Sequence, residues 1–196
     1  MTTFDFGNGP VPAHKHPNGG GWVADTATVA DTAYVGPDAK VFGDAQVLGN
    51  AEVFGNAVVY DNALVYGDAC VYGSACIYGN AWVYGDAQVY DNALVSGYAQ
   101  VFDNACIYDN AWVYGDALVY DNALVYGNAF VFDNAWVCDD AMVYGDAVVC
   151  DDARVYGDAH VSGYARVTDN AQVSGEAEED MFIEMNGKRY KLVEVE

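Results

Sequence analysis

One six-residue period runs through most of the chain and restricts what it can fold into. From Val23 to Val173 every sixth residue is valine, except for Ile77 and Ile107, which gives 26 consecutive hexads. An alanine stands four residues after each of these positions without exception. Such a long and regular repeat is typical of a solenoid, in which each repeat is one structural unit stacked on its neighbours.

The commonest hexad, Val-Tyr-Gly/Asp-Asp/Asn-Ala-x, encodes a short strand followed by a corner. Side chains alternate along a strand, so in Ala-x-Val-Tyr the Ala and Val point to one side while x and Tyr point to the other. Gly, Asp and Asn suit the corner because they tolerate left-handed backbone angles. Three hexads per turn stack residues 18 apart at about 4.8 Å, which predicts an all-β, three-sided parallel β-helix of about nine coils.

This pattern resembles that of the bacterial hexapeptide-repeat proteins, in which an aliphatic residue is followed four positions later by a small one. The segment Val83–Gln88 matches it, as does every hexad from 23 to 177. The resemblance implies a left-handed β-helix that is usually a trimer. The opening segment His14–Val23, together with the unbroken repeats, is similar to uncharacterised hexapeptide proteins of phages and bacteria, so a phage origin is one expectation.

The two ends of the chain depart from the repeat. Residues 1–21 contain three prolines and the triplet Gly19–Gly21, which predicts an irregular capping segment before a β-helix over 22–178. Phe4 and Phe6 are expected to cover the first layer of core. Residues 179–196 contain Asn186-Gly187 between the segments Met181–Met185 and Lys188–Val195, a strong hairpin signal. We expect this C-terminal β-hairpin to cap the last coil or to contact a neighbouring subunit.

The charge of the chain excludes several classes of partner. It carries 29 acidic and seven basic residues, for a formal net charge of −22. Binding to nucleic acid requires Lys and Arg to neutralise phosphates, so neither nucleic acid nor an anionic membrane is an expected partner. Without a long apolar stretch or a signal pattern, the chain is predicted to be cytoplasmic, or to lie in a host cytoplasm or virion if it is phage-encoded.

The five cysteines do not follow a metal-binding or redox pattern, and no CxxC pair occurs. No two of them lie 18 residues apart, so none stack directly on one another. Cys70 and Cys106 share a column but are two coils apart, near 9–10 Å by roughly doubling the strand spacing, which is too far for a disulfide. We expect five free thiols and a reducing compartment.

Catalytic features are absent from the repeat. Hexapeptide-repeat enzymes are mostly acyltransferases, and they resemble one another in a catalytic histidine and a loop extruded from the coils. No loop interrupts residues 23–177, and His160, the lone coil histidine, occupies an outward position without an acidic orienter in its strand. The three-histidine zinc site of related γ-type carbonic anhydrases has no counterpart in the coils. We expect no catalytic residue, metal or cofactor, with a degenerate acyltransferase relative as one alternative.

The segment before the first coil supplies the candidate ligand-binding residues His14, His16 and Trp22. In a trimer, three copies of the two histidines meeting on the axis would present six imidazoles, as in metal-bearing tips of phage spikes. The competing interpretation is a solvated loop. The acidic corners lack the nine-residue Gly-Gly-x-Gly-x-Asp pattern of calcium-binding β-rolls, and turn chemistry accounts for them.

Stepping by 18 residues sorts the outward positions into columns. Three columns are aromatic ladders, and stacked rings of this kind hold coils together whatever the function. A further column presents apolar side chains on six consecutive coils, which is more than a monomer normally exposes. The predicted interface residues in and beside it are Val58, Leu94, Trp112, Phe130, Val148, Tyr114 and Phe132.

These observations favour a non-enzymatic, oligomeric β-helix acting as a structural or interaction module, with a trimer as the expected assembly and a further protein partner possible. A second hypothesis is an inhibitor or sequestering protein whose acidic rod mimics DNA or binds a ligand on a host factor. The competing explanation for the acidity is that the corners simply require Asp and Asn.

Overall fold

The computed structural model describes residues 2–175 together with strand residues 182–185 and 188–191. Within these residues the chain forms 30 short strands and no helix. In chain order they are β1 (Thr3–Asp5), β2 (Pro10–Lys15), β3 (Trp22–Ala24), β4 (Thr28–Val29), β5 (Tyr34–Val35), β6 (Lys40–Val41), β7 (Gln46–Val47), β8 (Glu52–Val53), β9 (Val58–Val59), β10 (Leu64–Val65), β11 (Cys70–Val71), β12 (Cys76–Ile77), β13 (Trp82–Val83), β14 (Gln88–Val89), β15 (Leu94–Val95), β16 (Gln100–Val101), β17 (Cys106–Ile107), β18 (Trp112–Val113), β19 (Leu118–Val119), β20 (Leu124–Val125), β21 (Phe130–Val131), β22 (Trp136–Val137), β23 (Met142–Val143), β24 (Val148–Val149), β25 (Arg154–Gly157), β26 (His160–Val161), β27 (Arg166–Val167), β28 (Gln172–Gly175), β29 (Phe182–Met185) and β30 (Lys188–Lys191).

The strands form three parallel sheets around one core, which confirms the predicted three-sided β-helix. Every third strand pairs with the next at a register of 18 residues, as in the pairs Trp82↔Gln100 and Leu94↔Trp112. We name the sheets after one outward residue each. The coil strands of the Trp112 sheet run from β3 to β27, those of the Trp82 sheet from β4 to β28, and those of the Cys106 sheet from β5 to β26. The left hand implied by the hexapeptide resemblance stays a prediction.

Most coil strands contain only two residues, which is shorter than the four-residue segment expected from the hexad. Hydrogen bonding nevertheless continues beyond the strand, because each coil donates to the next around most of its perimeter. Trp112 N donates to Ala129 O at 2.9 Å, Tyr114 N to Val131 O at 3.0 Å, and the corner amide of Asp116 to Asp133 O at 2.8 Å. Most corners are therefore also hydrogen-bonded to the next coil.

The core contains the repeated valine and alanine side chains. Every hexad Val or Ile from Val35 to Val155 is fully buried, and so is every hexad Ala from Ala33 to Ala159. A fully buried branched side chain contributes roughly 1.5–3 kcal/mol of transfer free energy before entropy is subtracted. The complete burial of each alanine beside a branched side chain favours a small residue at this position.

The corners use glycine and aspartate at one backbone position with positive φ. Gly115 adopts a φ of 72°, while Asp133, one coil further in the same column, adopts 55°. Glycine adopts this conformation without a steric penalty, and Asp is among the few other residues that tolerate it. Stacked corner carboxylates also accept backbone hydrogen bonds from the next coil, as Asp109 Oδ2 does from Gly127 N at 3.1 Å.

The N-terminal segment is more regular than the sequence predicts. Strands β1 and β2 pair as an antiparallel hairpin, and β2 pairs antiparallel with β3, so both strands extend the Trp112 sheet. The prolines do not prevent this. Ala13 N donates at 3.1 Å to Thr2 O, which directly precedes β1. The N–H groups of every second residue point to the same neighbouring strand, so the backbone nitrogens of Pro10 and Pro12 point away from β1. No hydrogen bond to β1 is lost at these two residues.

Phe4 and Phe6 do not cover the core, so that expectation is wrong. Phe4 stacks on Trp22 with ring centroids 4.4 Å apart, and Phe6 stacks on Phe42 at 4.8 Å. Both rings therefore lengthen columns on the outside of the Trp112 sheet. The reason is that β1 continues the sheet itself instead of folding across the end of the prism.

At the other end, β28 pairs antiparallel with β29, and β29 pairs with β30 through Met185↔Lys188. This pairing confirms the C-terminal hairpin and adds it to the end of the Trp82 sheet. The predicted Asn186-Gly187 turn itself lies outside the described residues, as do the side chains of Lys188, Arg189 and Lys191.

Among the described residues, no helix is long and apolar enough to cross a membrane.

Candidate interaction face and N-terminal cleft

The outer surface of the Trp112 sheet, here called the Trp112 face, consists of two neighbouring columns. One holds the residue before each core Val or Ile, and the other holds the residue after it. The first column reads Lys40, Val58, Cys76, Leu94, Trp112, Phe130, Val148 and Arg166, and the second reads Phe42, Tyr60, Tyr78, Ser96, Tyr114, Phe132 and Cys150. All seven predicted interface residues lie on this face, and no charged side chain occurs in either column between Lys40 and Arg166. Their role at an interface stays a prediction.

Neighbouring aromatic rings contact one another along this face. Tyr114 and Phe132 lie nearly parallel, with centroids 4.8 Å apart, while Trp112 and Phe130 are tilted by 56° at 5.5 Å. The same packing occurs in the ladders of the other two sheets, where neighbouring centroids lie 4.8–5.0 Å apart. Ring stacking is thus a general feature of the rod. The Trp112 face is distinguished by its uninterrupted apolar column, whose side chains are partly exposed, with Trp112 the most exposed.

A notch interrupts the Trp112 face near its middle. Ser96 replaces the aromatic ring of the ladder and is almost completely buried between its neighbours. The gap of about 120 Å³ is lined by Tyr78, Leu94, Ser96, Trp112 and Tyr114. Trp112 borders this gap and is 43% exposed, although tryptophan usually buries its ring. The notch and the indole together resemble the anchor and pocket of a protein–protein contact.

Trp82 provides a natural comparison for Trp112. The two lie in identical segments, Ala-Trp-Val-Tyr-Gly-Asp-Ala, and both are 43% exposed. Trp82 stands in the Trp82 sheet between Leu64 and Gln100, so polar residues interrupt its column. The local sequence and the exposure are therefore the same, and the neighbouring strands differ.

The candidate ligand-binding residues His14, His16 and Trp22 lie close in sequence but have different environments. His14 is exposed, and its Nδ1 lies 2.9 Å from Asp25 Oδ1. His16 is only 3% exposed, and its Nδ1 donates to Asn18 O at 3.1 Å, while Nε2 has no hydrogen-bond partner among the described residues. Trp22 is covered by Phe4 and lies 4.8 Å below Lys15 Nζ.

Sequence reasoning missed Asp25 as the partner of His14. The two residues are brought together by the antiparallel pairing of β2 with β3, where His14 lies opposite Val23. Asp25 reads as an ordinary corner residue in the first hexad, so its only sequence signal is its position directly after a strand.

An open cleft of about 490 Å³ lies beside this pair, between the N-terminal hairpin and the first coil. Its lining residues are Phe6, Asn8, Gly9, Val11, Pro12, Ala24, Asp25, Thr26, Phe42 and Gly43. The volume falls within the range of small-molecule sites. The sequence does not predict this cleft, because it depends on the path of the hairpin.

The third histidine, His160, lies in the coils and has no catalytic partner among the described residues. His160 is exposed and meets the edge of the Tyr144 ring at 6.3 Å. No hydrogen bond joins it to a carboxylate there, so the geometry provides no orienter for a base.

One group in the described part of the chain places three potential metal ligands within 4.8 Å of one another: Asp121, Cys138 and Asp139. Its carboxylates already have structural partners, since Asp139 N donates to Asp121 Oδ2 at 3.4 Å and Gly157 N donates to Asp139 Oδ2 at 2.9 Å. Burial also raises the pKa of the Cys138 thiol, and a metal would require the thiolate. We therefore assign these residues to the corner structure.

All five cysteines are free, as the column positions predict. Burial raises the pKa of Cys70, Cys76, Cys106 and Cys138, and it raises that of Cys150 to about 11, helped by the neighbouring Asp151 carboxylate. Thiols of this kind are poor nucleophiles at neutral pH.

Comparison with known proteins supports the repeat architecture. A family model described as the YdcK β-solenoid repeat matches residues 87–101, 99–115, 135–151 and 149–163, all within the coils. A solved structure, the UDP-N-acetylglucosamine acyltransferase of Arabidopsis, is similar with a TM-score of 0.33 and 15% identity, covering 84% of this chain and 72% of that one. No curated protein sequence matches the chain. The family-model matches agree with a hexapeptide-repeat-like β-helix.

Proposed function

We propose that this chain, a hexapeptide-repeat-like β-helix, is a non-catalytic structural and interaction module that associates with further copies of itself through the Trp112 face. The observation that carries the proposal is the uncharged column from Val58 to Val148. It presents apolar side chains on six consecutive coils, a length of about 24 Å for five steps at the usual strand spacing. Exposed apolar patches of that extent mark association surfaces in soluble proteins.

The charge distribution favours a second copy as the occupant. Lys40 and Arg166 stand at the two ends of the apolar column, in a chain with only seven basic residues. The corners of any copy carry carboxylates, such as Asp61 and Asp151, and a copy lying alongside would offer them to these cations. Complementary charge at the rim around an apolar centre is the usual anatomy of an interface.

The notch supports the same assignment. It lies beside Leu94 and Trp112, which occupy the middle of the column between Lys40 and Arg166. Binding energy at interfaces is concentrated near the geometric centre, in exposed aromatic residues that fill pockets on the partner. The assembly we propose is the trimer implied by the hexapeptide resemblance. Five unpaired thiols support a reducing compartment such as the cytoplasm.

Sedimentation velocity over a range of protein concentrations tests the proposal with a matched pair of variants. Trp112→Glu places a charge at the centre of the Trp112 face, and we expect it to shift the trimer to monomer. Trp82→Glu makes the same change in an identical seven-residue segment on another sheet, and we expect it to sediment like the unmodified chain. A monomeric unmodified chain, or the same shift in both variants, would contradict the proposal.

A further inference from the structure

We propose that the cleft between the N-terminal hairpin and the first coil binds a small organic ammonium ion that has an apolar body. The cleft adjoins the N-terminal end of the Trp112 face, which also contains Phe42, and the inference does not depend on the apolar column from Val58 to Val148. It rests on the walls of the cleft, on one half-exposed carboxylate and on the hydrogen bonds that hold the cleft in shape.

The walls of the cleft are apolar and aromatic. Phe6 and Phe42 stack with ring centroids 4.8 Å apart and line it together with Val11 and Pro12. Val11 is one of the few large apolar side chains that remain exposed in the described chain, and it faces this space. Such a surface suits the hydrocarbon part of a ligand.

Asp25 gives the cleft its charge preference. Its side chain is 46% exposed, Oδ1 is held by His14 Nδ1 at 2.9 Å, and no hydrogen bond among the described residues engages Oδ2. No Lys or Arg lines the cleft, and the chain as a whole carries a charge of −22. An anionic ligand is therefore repelled, whereas an ammonium group is attracted both at long range and by a charge-assisted hydrogen bond to Asp25.

Local hydrogen bonds pre-form the cleft. Asp5 Oδ1 accepts from the amides of Gly7 at 2.8 Å and Gly9 at 3.0 Å, which holds the hairpin loop in one conformation. On the opposite wall the Thr26 hydroxyl donates to Gly43 O. A pocket that needs little reordering loses less binding energy to entropy than a mobile one.

The test compares phenethylamine with 2-phenylethanol, which has the same body without the charge, by recording amide chemical shifts of the full-length protein. We expect phenethylamine to bind with a millimolar dissociation constant, as its size allows, and to shift the amides of Gly9, Thr26 and Gly43. The alcohol is expected to bind about tenfold more weakly, a difference of about 1.4 kcal/mol, because it lacks the charge-assisted hydrogen bond to Asp25.

Three variants separate recognition from damage to the cap. Asp25→Asn is expected to weaken amine binding about tenfold, to the level of the alcohol. His14→Ala breaks the His14–Asp25 contact but keeps the carboxylate, so binding should be retained or strengthened. Asp31→Asn removes an exposed corner carboxylate outside the cleft and should change nothing. The proposal is overturned if amine and alcohol bind alike, if neither binds, or if His14→Ala weakens binding as much as Asp25→Asn.

Discussion

Asn92 donates a side-chain hydrogen bond from Nδ2 to Oδ1 of Asn110, one coil further along the rod, at 3.2 Å. Asn110 donates in the same way to Asn128 at 3.2 Å, and Asn128 donates to Asp146 at 3.0 Å. The chain of bonds ends at an aspartate, which can accept but not donate. Asn at such a corner both accepts and donates, whereas Asp only accepts, so the two residues have separate structural roles in the ladder.

Replacing Asn110 by aspartate should break this ladder at one bond. The new carboxylate can still accept the hydrogen bond from Asn92. It has no N–H to donate to Asn128 Oδ1, so that hydrogen bond is lost and two oxygen atoms face each other. We expect Asn110→Asp to lower the free energy of unfolding by about 1 kcal/mol, the usual net value of a hydrogen bond, measured by urea unfolding. Asn62→Asp adds the same charge at a corner with no side-chain hydrogen bond within the described coils. Equal losses in the two variants would show that added charge, not the ladder, is responsible.

Gly115 should tolerate aspartate better than alanine. Its φ is 72°, and a Cβ built there would lie 2.7 Å from Asp133 N. Gly115→Ala should therefore lower the free energy of unfolding by more than the roughly 1–2 kcal/mol that the left-handed backbone conformation alone costs an L-residue. Gly115→Asp should lower the free energy of unfolding less than Gly115→Ala does. Aspartate adopts this conformation at nine other described corners, and its carboxylate can accept a hydrogen bond from the backbone amide of the next coil.

Gly163→Ala is the control for this comparison. Its φ is 63°, but a Cβ there meets nothing within 4 Å, so only the backbone cost applies. Thermal or urea unfolding should show a larger loss of stability for Gly115→Ala than for Gly163→Ala. The opposite order would mean that the close approach to Asp133 does not govern the choice of residue at this corner.

The regular part of this fold was predictable because the six-residue period determines which residues form strands, which form corners and which stack on one another. Stepping by 18 residues places Trp112 beside Leu94 and Phe130 before any coordinates are known, and the strand pairs agree. The cap was not predictable in the same way. The contact between His14 and Asp25 depends on the register of an antiparallel pairing, and the prolines of β2 suggest a break unless the side on which each N–H points is known.

The thiols should react slowly with iodoacetamide in the folded protein at neutral pH. Burial raises the pKa of each, and for Cys150 the pKa reaches about 11 because the Asp151 carboxylate lies beside the sulfur. Since the thiolate is the reacting form, we expect Cys150, which is also the most buried, to be alkylated last. Mass spectrometry of each site over time measures the order, with the urea-unfolded chain as the control in which all five react at similar rates. Rapid labelling of Cys150 in the folded protein would contradict the assignment.

Alkaline pH should destabilise the rod through its tyrosine ladders. Tyr90 stacks between Tyr72 and Tyr108 at 4.8 and 5.0 Å, and burial, followed by the charge that Tyr72 would carry as a phenolate, raises the pKa of Tyr90 to about 12. An unfolded tyrosine loses its proton near pH 10. From about pH 10 to pH 12 the folded chain thus retains a proton that the unfolded chain has lost, and stability falls as pH rises through this interval.

Tyr90→Phe isolates this effect. The substitution should pack well, because Phe102 already occupies the equivalent place between Tyr84 and Tyr120 in another ladder, with centroids 4.9 and 5.0 Å away. We expect the variant to match the unmodified chain in stability at neutral pH and to lose less stability between pH 10 and pH 12. Urea unfolding across this pH range, together with the near-ultraviolet absorbance of phenolate, measures both quantities. Parallel loss of stability in the two proteins would show that Tyr90 keeps an ordinary pKa in the stack, and that the ladder contributes packing without opposing ionisation.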